Sequence, residues 1–160
     1  MGLSPSLSLF IGQLAPIPVT QTTITVAGAF VIFLLIGFSA FFSSSEIAMF
    51  SLAKHRVDAL VDDNVPGADV VDELKSNPHR LLVTILVGNN IVNIAMSSLA
   101  TALVSLYFDP GSAVLVSTFG ITSLVLLFGE SAPKSYAVEH TESWALRIAR
   151  PLKYSEYVLL

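Results

Sequence analysis

The chain has 160 residues, of which 53% are hydrophobic and 12% charged, and eight basic against twelve acidic side chains leave a net charge of −4. Polar groups are too few to cover a soluble globule, no basic stripe exists to neutralise nucleic-acid phosphates, and zero cysteines exclude a disulfide framework, a thiolate metal site and a catalytic thiol. What remains is an all-α integral membrane protein, because three apolar runs approach or exceed the roughly 20 residues that cross a bilayer.

Residues 1–23 carry Pro5, Pro16 and Pro18 and lack the basic start of a secretory signal peptide, so they read as an extracytoplasmic tail. No charge occurs in residues 1–45, and a first span is expected at about 24–50, where the apolar run Ile24–Phe42 continues into a serine-rich segment. Residues 51–80 form a cytoplasmic insert of helical character. In it Met49, Leu52, Arg56, Leu60 and Asp63 keep a helical rhythm that would prolong the first span, until Asn64-Val65-Pro66-Gly67 breaks it. The insert's acids, Asp58, Asp62, Asp63, Asp69, Asp72 and Glu73, read as a solvated face. Asn77 is an N-cap and Pro78 a first helical residue, opening a second span at about 81–108. The short turn Asp109-Pro110-Gly111-Ser112 folds a third span, about 112–131, back against the second. Residues 24–136 thus make a three-span domain. The remainder, 137–160, reads as an interfacial amphipathic helix kinked at Pro151, with Trp144, Ile148 and Leu152 on one side and Trp144, Tyr154 and Tyr157 as membrane anchors.

All basic side chains fall in two places, Lys54, Arg56, Lys75 and Arg80 before the second span and Lys134, Arg147, Arg150 and Lys153 after the third. Basic residues are retained in the cytoplasm, so a multi-pass protein of the plasma membrane is expected, with its N-terminus outside and its C-terminus cytoplasmic.

Each span carries a polar cluster that lipid would not solvate: Ser43-Ser44-Ser45-Glu46, then Gly88-Asn89-Asn90 with Asn93, then Gly129-Glu130-Ser131-Ala132-Pro133-Lys134. At a rise of about 1.5 Å per residue the three converge between the midplane and the inner boundary. Glu46 and Glu130 are the only carboxylates inside or at the inner ends of the apolar runs, and an acid at that depth is functional by default. Asn90, Asn93 and Ser97 share one helical face that faces protein or water, either as packing glue or as a cation path. Pro133 removes a donor and clashes with the carbonyl of Gly129, so a broken helix with a freed carbonyl is expected there. Carboxylate, amide, hydroxyl and carbonyl oxygens select a hard cation, while His55, His79 and His140 all lie away from the cluster. Neither a Ser/His/Asp set, a zinc motif nor a phosphate loop lies near it, which points away from an enzyme.

The segments FFSSSEIAMFSL, NPHRLLVTILVGNNIVNIAMSS and FGESAPKSYAVEH resemble, in order, the membrane domain of the cyclin M / CorC family of magnesium transporters. The resemblance covers about residues 24–160. It implies a homodimer in the lipid bilayer that exports Mg²⁺, coupled to Na⁺ entry, through an inward-facing site holding a largely dehydrated Mg²⁺. It assigns ligation to Ser43, Asn90 and Glu130 with the carbonyls of Gly129 and Leu86, and supporting or coupling roles to Glu46, Asn93, Pro133 and Lys134. A nucleotide-binding CBS-pair module follows the membrane domain in that family. The chain ends at Leu160, so that module, and any action of ATP through it, is expected to lie outside the chain. The family's usual glycine and paired aliphatics are replaced here by Ser44 and Ser131-Ala132, which leaves selectivity among Mg²⁺, Mn²⁺ and Ca²⁺ open. A passive divalent-cation channel and a non-transporting Mg²⁺-sensing membrane module share the same ligands.

Overall fold

The computed structural model describes residues 20–160, and every element within them is helical. Helix α1 runs Gln21–Ser51, α2 Lys54–Asp62, α3 Ala68–Ser76, α4 Pro78–Val104 and α5 Pro110–Leu124. A π-helical segment, Val125–Ser131, joins α5 to α6 at Ala132–Glu139, and α7 covers Thr141–Leu159. The all-α membrane architecture expected from composition is the one observed, with three helical stretches long and apolar enough to cross a membrane: Gln21–Ser51, Pro78–Val104 and Pro110–Glu139. The tail expected over 1–23 lies outside the described residues as far as position 19.

Thr20 caps α1, its hydroxyl accepting from the Thr23 N–H at 3.2 Å. Phe30, Phe33 and Phe38 on this helix remain exposed on the single chain, as lipid-facing side chains would. The opposite side makes α1 the central element, packed on α4, the π-helical segment, α6 and α7, whereas α5 packs on α4. The third span therefore crosses from α4 to α1 as it descends. Small residues allow the approach: a Cβ on Gly28 would meet Leu103 at 2.6 Å, and one on Gly88 would collide with the Phe42 ring. At the N-terminal end of α1, Gln21 Nε2 donates to the Leu106 carbonyl at 2.7 Å and the Thr25 and Tyr107 hydroxyls meet at 2.7 Å. Thr101 and Ser117 bond at 2.9 Å one layer further in, which ties α4 to α5.

The other end carries the charge, and here several sequence expectations need correction. The rhythm through Leu52 to Asp63 does not prolong α1, because Leu52 and Ala53 are both extended and α2 starts anew at Lys54. The carbonyls left over at the end of α1 accept from Lys75, at Met49 and, at 2.7 Å, at Leu52, so a lysine on α3 caps the negative end of the span. Burial, with Lys54 as a lesser cause, holds the Lys75 ammonium below its ordinary pKa. Asn64 and Gly67 turn the chain with φ of 53° and 92°, and the second insert helix, α3, follows. As expected, Asn77 caps α4, accepting from the Arg80 N–H at 3.1 Å.

The third span does not break near Gly129. It widens into π-helical geometry and continues past position 131 to Glu139, with the Ala132 N–H reaching back to the Leu127 carbonyl. A wider turn moves the proline ring away from the carbonyls behind it, so Pro133 is accommodated without a kinked end. The apolar stripe of α7 is also not a lipid face: Ile148 and Leu152 are buried in a helix that packs on α1, α3 and α4. Tyr154, Tyr157 and Val158 are the large hydrophobic side chains that α7 leaves exposed. Ion pairs tie the layer together. Arg80 meets Glu156, Lys153 reaches Glu73 at 2.9 Å and Glu156 at 3.3 Å, and Lys54 reaches Asp58 at 2.8 Å and Asp72 at 2.7 Å.

Arg56 on α2 grips Glu142 on α7 through two bonds of 2.6 and 3.2 Å. That hydrogen bond holds the Glu142 carboxyl below its ordinary value of 4.5. A depressed carboxylate pKa gives stability that is complete above the ordinary value and is lost as pH falls through the folded one. The single tryptophan, Trp144, sits two positions on, edge-on to Tyr136 at 5.2 Å, and reports the docking. Acidifying the detergent-solubilised chain to below the ordinary value of 4.5 is expected to shift Trp144 emission, and Glu142→Gln to show the shifted emission already at neutral pH.

Candidate functional site

One face of α1 carries Ser39, Ser43 and Glu46, at helical spacings of one turn and nearly two. Ser39 is buried, and its hydroxyl is shared between Asn93 Oδ1 at 3.1 Å and Asn89 Oδ1 at 3.2 Å on α4. The third span arrives at the same level: a Cβ on Gly129 would stand 2.9 Å from Ser39 Oγ, so only glycine lets the π-helical backbone come this close. A hydroxyl, two amide side chains and a glycine backbone therefore meet between three different membrane-crossing helices.

Below that layer the serine run divides by role. Ser44 and Ser45 turn their hydroxyls back on the Phe41 carbonyl, at 3.1 and 2.6 Å. Ser43 Oγ is buried and makes no hydrogen bond. An unpaired buried hydroxyl costs about 1–3 kcal/mol, so its retention calls for a purpose beyond packing. Nearer the charged end, Lys134 Nζ lies 3.0 Å from Glu130 Oε1 and 3.3 Å from Glu46 Oε2, bridging α1 and the third span. All three side chains are roughly one-third exposed, so this end of the site opens to the surroundings.

The structure thus gathers Ser43, Asn93, Gly129, Glu130, Glu46, Pro133 and Lys134 along one descent of the bundle. Pro133 lies partly buried in the first turn of α6, next to Lys134. Asn90 and Leu86 stand elsewhere, both exposed on the single chain, on an α4 face about 60–100° from Asn89. Of the site residues, Ser39 lies outside the polar clusters that the sequence shows, and Asn89 enters them only beside Asn90. The signal was present in the pairs Ser39/Ser43 and Asn89/Asn93, each four apart and so on one face. Among the described residues no group of three or more His, Cys, Asp or Glu side chains is close enough to hold a metal. A cation here would draw on neutral oxygens with one or two carboxylates, which suits hard ions.

These features define a multi-pass membrane protein with an oxygen-lined polar site between its spans. The chain belongs to the family described as the Cyclin M transmembrane N-terminal domain, which matches residues 30–160. It is 40% identical over 105 residues to a UPF0053 protein of Haemophilus influenzae, covering 65% of this chain and 24% of that one. It is 38% identical over 108 residues to the UPF0053 inner membrane protein YfjD of Escherichia coli, covering 67% and 25%. Against the polyamine export protein of Salmonella typhimurium the identity is 32% over 141 residues, covering 81% and 32%. The chain spans between 24% and 32% of the length of these relatives.

If the glycine backbone is seated against Ser39 as described, Gly129→Ala pushes the serine off its asparagines and is expected to destabilise the solubilised chain by about 1–3 kcal/mol. Ser39→Ala is expected to recover part of that loss in the double variant, a coupling that thermal melts of the four proteins would measure.

Proposed function

We propose that the chain is the membrane domain of a Mg²⁺ exporter driven by Na⁺ entry, and that it works as a homodimer in the plasma membrane. The observation that carries the reading is the buried, unpaired Ser43 hydroxyl, set between the Ser39–Asn89–Asn93–Gly129 layer and the Glu46 and Glu130 carboxylates. A hydroxyl that no protein group satisfies, flanked by amide and carboxylate oxygens, is suited to replace part of an ion's water shell. Mg²⁺ demands near-octahedral oxygen coordination at about 2.0–2.1 Å, so the ion would draw Glu130, Ser43 and the Gly129 carbonyl inward, with Asn90 and the Leu86 carbonyl joining only if α4 rotates. The carboxylates supply the charge, while the amides and hydroxyls strip water at little electrostatic cost.

Orientation follows from charge. The basic residues cluster at the end where Glu46 and Glu130 are accessible, so that end is cytoplasmic and the site faces inward, under the hydrogen-bonded layer of Thr25, Tyr107, Thr101 and Ser117. The exposed Asn90 and Ser97 on α4 support a second copy covering that face, since lipid would leave both amide and hydroxyl unsatisfied. A second reading, export of an organic polyamine, is favoured by one observation: the two carboxylates already hold a primary ammonium, that of Lys134, and relatives named as polyamine export proteins share about a third of their residues with this chain over the matched region.

Glu130→Gln is expected to weaken Mg²⁺ binding at least about tenfold by calorimetry and to remove Mg²⁺ flux from proteoliposomes. Unchanged binding and flux would sink the assignment. Loss of flux on collapsing the Na⁺ gradient marks a coupled carrier, flux that persists marks a channel, and spermidine flux in place of Mg²⁺ flux selects the second reading.

A further inference from the structure

Lys134 bridges two carboxylates on different elements, as Lys54 and Lys153 do, but its two acids, Glu130 and Glu46, belong to the polar site between the spans. It follows Glu130 by one helical turn, which alone would be an ordinary i,i+4 pair, but its ammonium also reaches Glu46 on a different helix. The two contacts, 3.0 and 3.3 Å, engage one oxygen of each carboxylate. A cation entering the site therefore meets a positive charge already paired with both acids, which opposes its binding.

We propose that Lys134 is a tethered counter-cation: it occupies the two site carboxylates when no ion is bound, exchanges with the incoming ion, and returns to displace it, so that its charge sets both affinity and release. This rests on the reading of the site as one that binds Mg²⁺. The charge arithmetic gives the direction. Glu46, Glu130 and Lys134 sum to −1, so a divalent ion added with the ammonium in place leaves +1, whereas two carboxylates alone would neutralise it. The lysine side chain is 30% exposed, which gives the displaced ammonium a route to water while its stem stays on α6. Glu130 itself lies in the π-helical segment Val125–Ser131, a kind of insert that recurs at functional sites. Lys134 is a positioning residue in this scheme, acting on the ion through the carboxylates it holds.

A purely structural clasp between α1 and α6 predicts the opposite result from a counter-cation. Removing a clasp loosens the site and weakens ion binding; removing a competing charge tightens it. The test is Mg²⁺ calorimetry and initial-rate flux in proteoliposomes for the wild-type chain, Lys134→Met and Lys134→Arg. Lys134→Met is expected to bind Mg²⁺ about tenfold or more tightly, with the half-saturating concentration for flux falling in step and the maximal rate falling severalfold because release slows. Lys134→Arg, which keeps the charge, is expected to bind no more tightly than wild type. Should Lys134→Met fail to fold, Lys134→Gln carries the same expectation. Wild-type binding of Mg²⁺ with unchanged or weakened binding in the neutral variants overturns this inference alone. Absence of saturable Mg²⁺ binding by the wild-type chain overturns the reading of the site along with it.

Discussion

A buried serine on α1 shares its hydroxyl between two asparagines of α4, against a glycine backbone of the third span, and the arrangement of the bundle follows from the need to satisfy these groups away from water. In a bilayer an amide or hydroxyl facing hydrocarbon loses several kcal/mol of hydration, so polar groups at depth must find one another across helices. Ser39, Asn89 and Asn93 do so at 3.1 to 3.2 Å. The contact fixes the rotation of α1 and α4 about their axes, and that rotation presents Ser43 and Glu46 to the third span.

Close approach is the second half of the same constraint. Gly28, Gly88 and Gly129 sit where a methyl group would strike Leu103, Phe42 and Ser39, so the three helices touch through glycine. At Gly129 the cost of bringing backbone to side chain is met by local geometry rather than by a break. The π-helical segment Val125–Ser131 accommodates Pro133 and keeps the span continuous to Glu139, which carries Lys134 down to Glu46. A span that ended at Gly129 would leave that lysine in a loop, without a fixed partner on α1.

The charged end works by water-exposed electrostatics and by ordinary packing of apolar side chains. Lys75 caps α1, Arg56 holds α2 to α7, and Glu156 receives both Arg80 and Lys153, so that each insert helix is tied either to a span or to α7. The exposed Arg56–Glu142 pair contributes little by itself, whereas Glu156 is buried and depends on both of its cationic partners. The effect of the pairs is collective, because α7 also buries Ile148 and Leu152 against the same layer. Movement of α7 would therefore be felt at Arg80, the start of α4, a helix that also carries Asn89 and Asn93.

The membrane class, the three spans, the placement of charge at one end, the Asn77-Pro78 start of α4 and the meeting of polar clusters from all three spans are legible in the amino-acid order alone. Uncharged runs of bilayer length and the fixed helical rise allow few alternatives. Periodicity does not report which of two adjacent asparagines faces a neighbour, since Asn89 and Asn90 differ by only about 100° of helix rotation. Tertiary packing decided that: it turned Asn89 and Asn93 to Ser39 and left Asn90 exposed, it converted an expected break into a π-helical turn, and it buried the stripe of α7 in protein. It also brought Lys134 to a second carboxylate on another helix, because contacts between segments far apart in the chain exist only once the helices have chosen their faces.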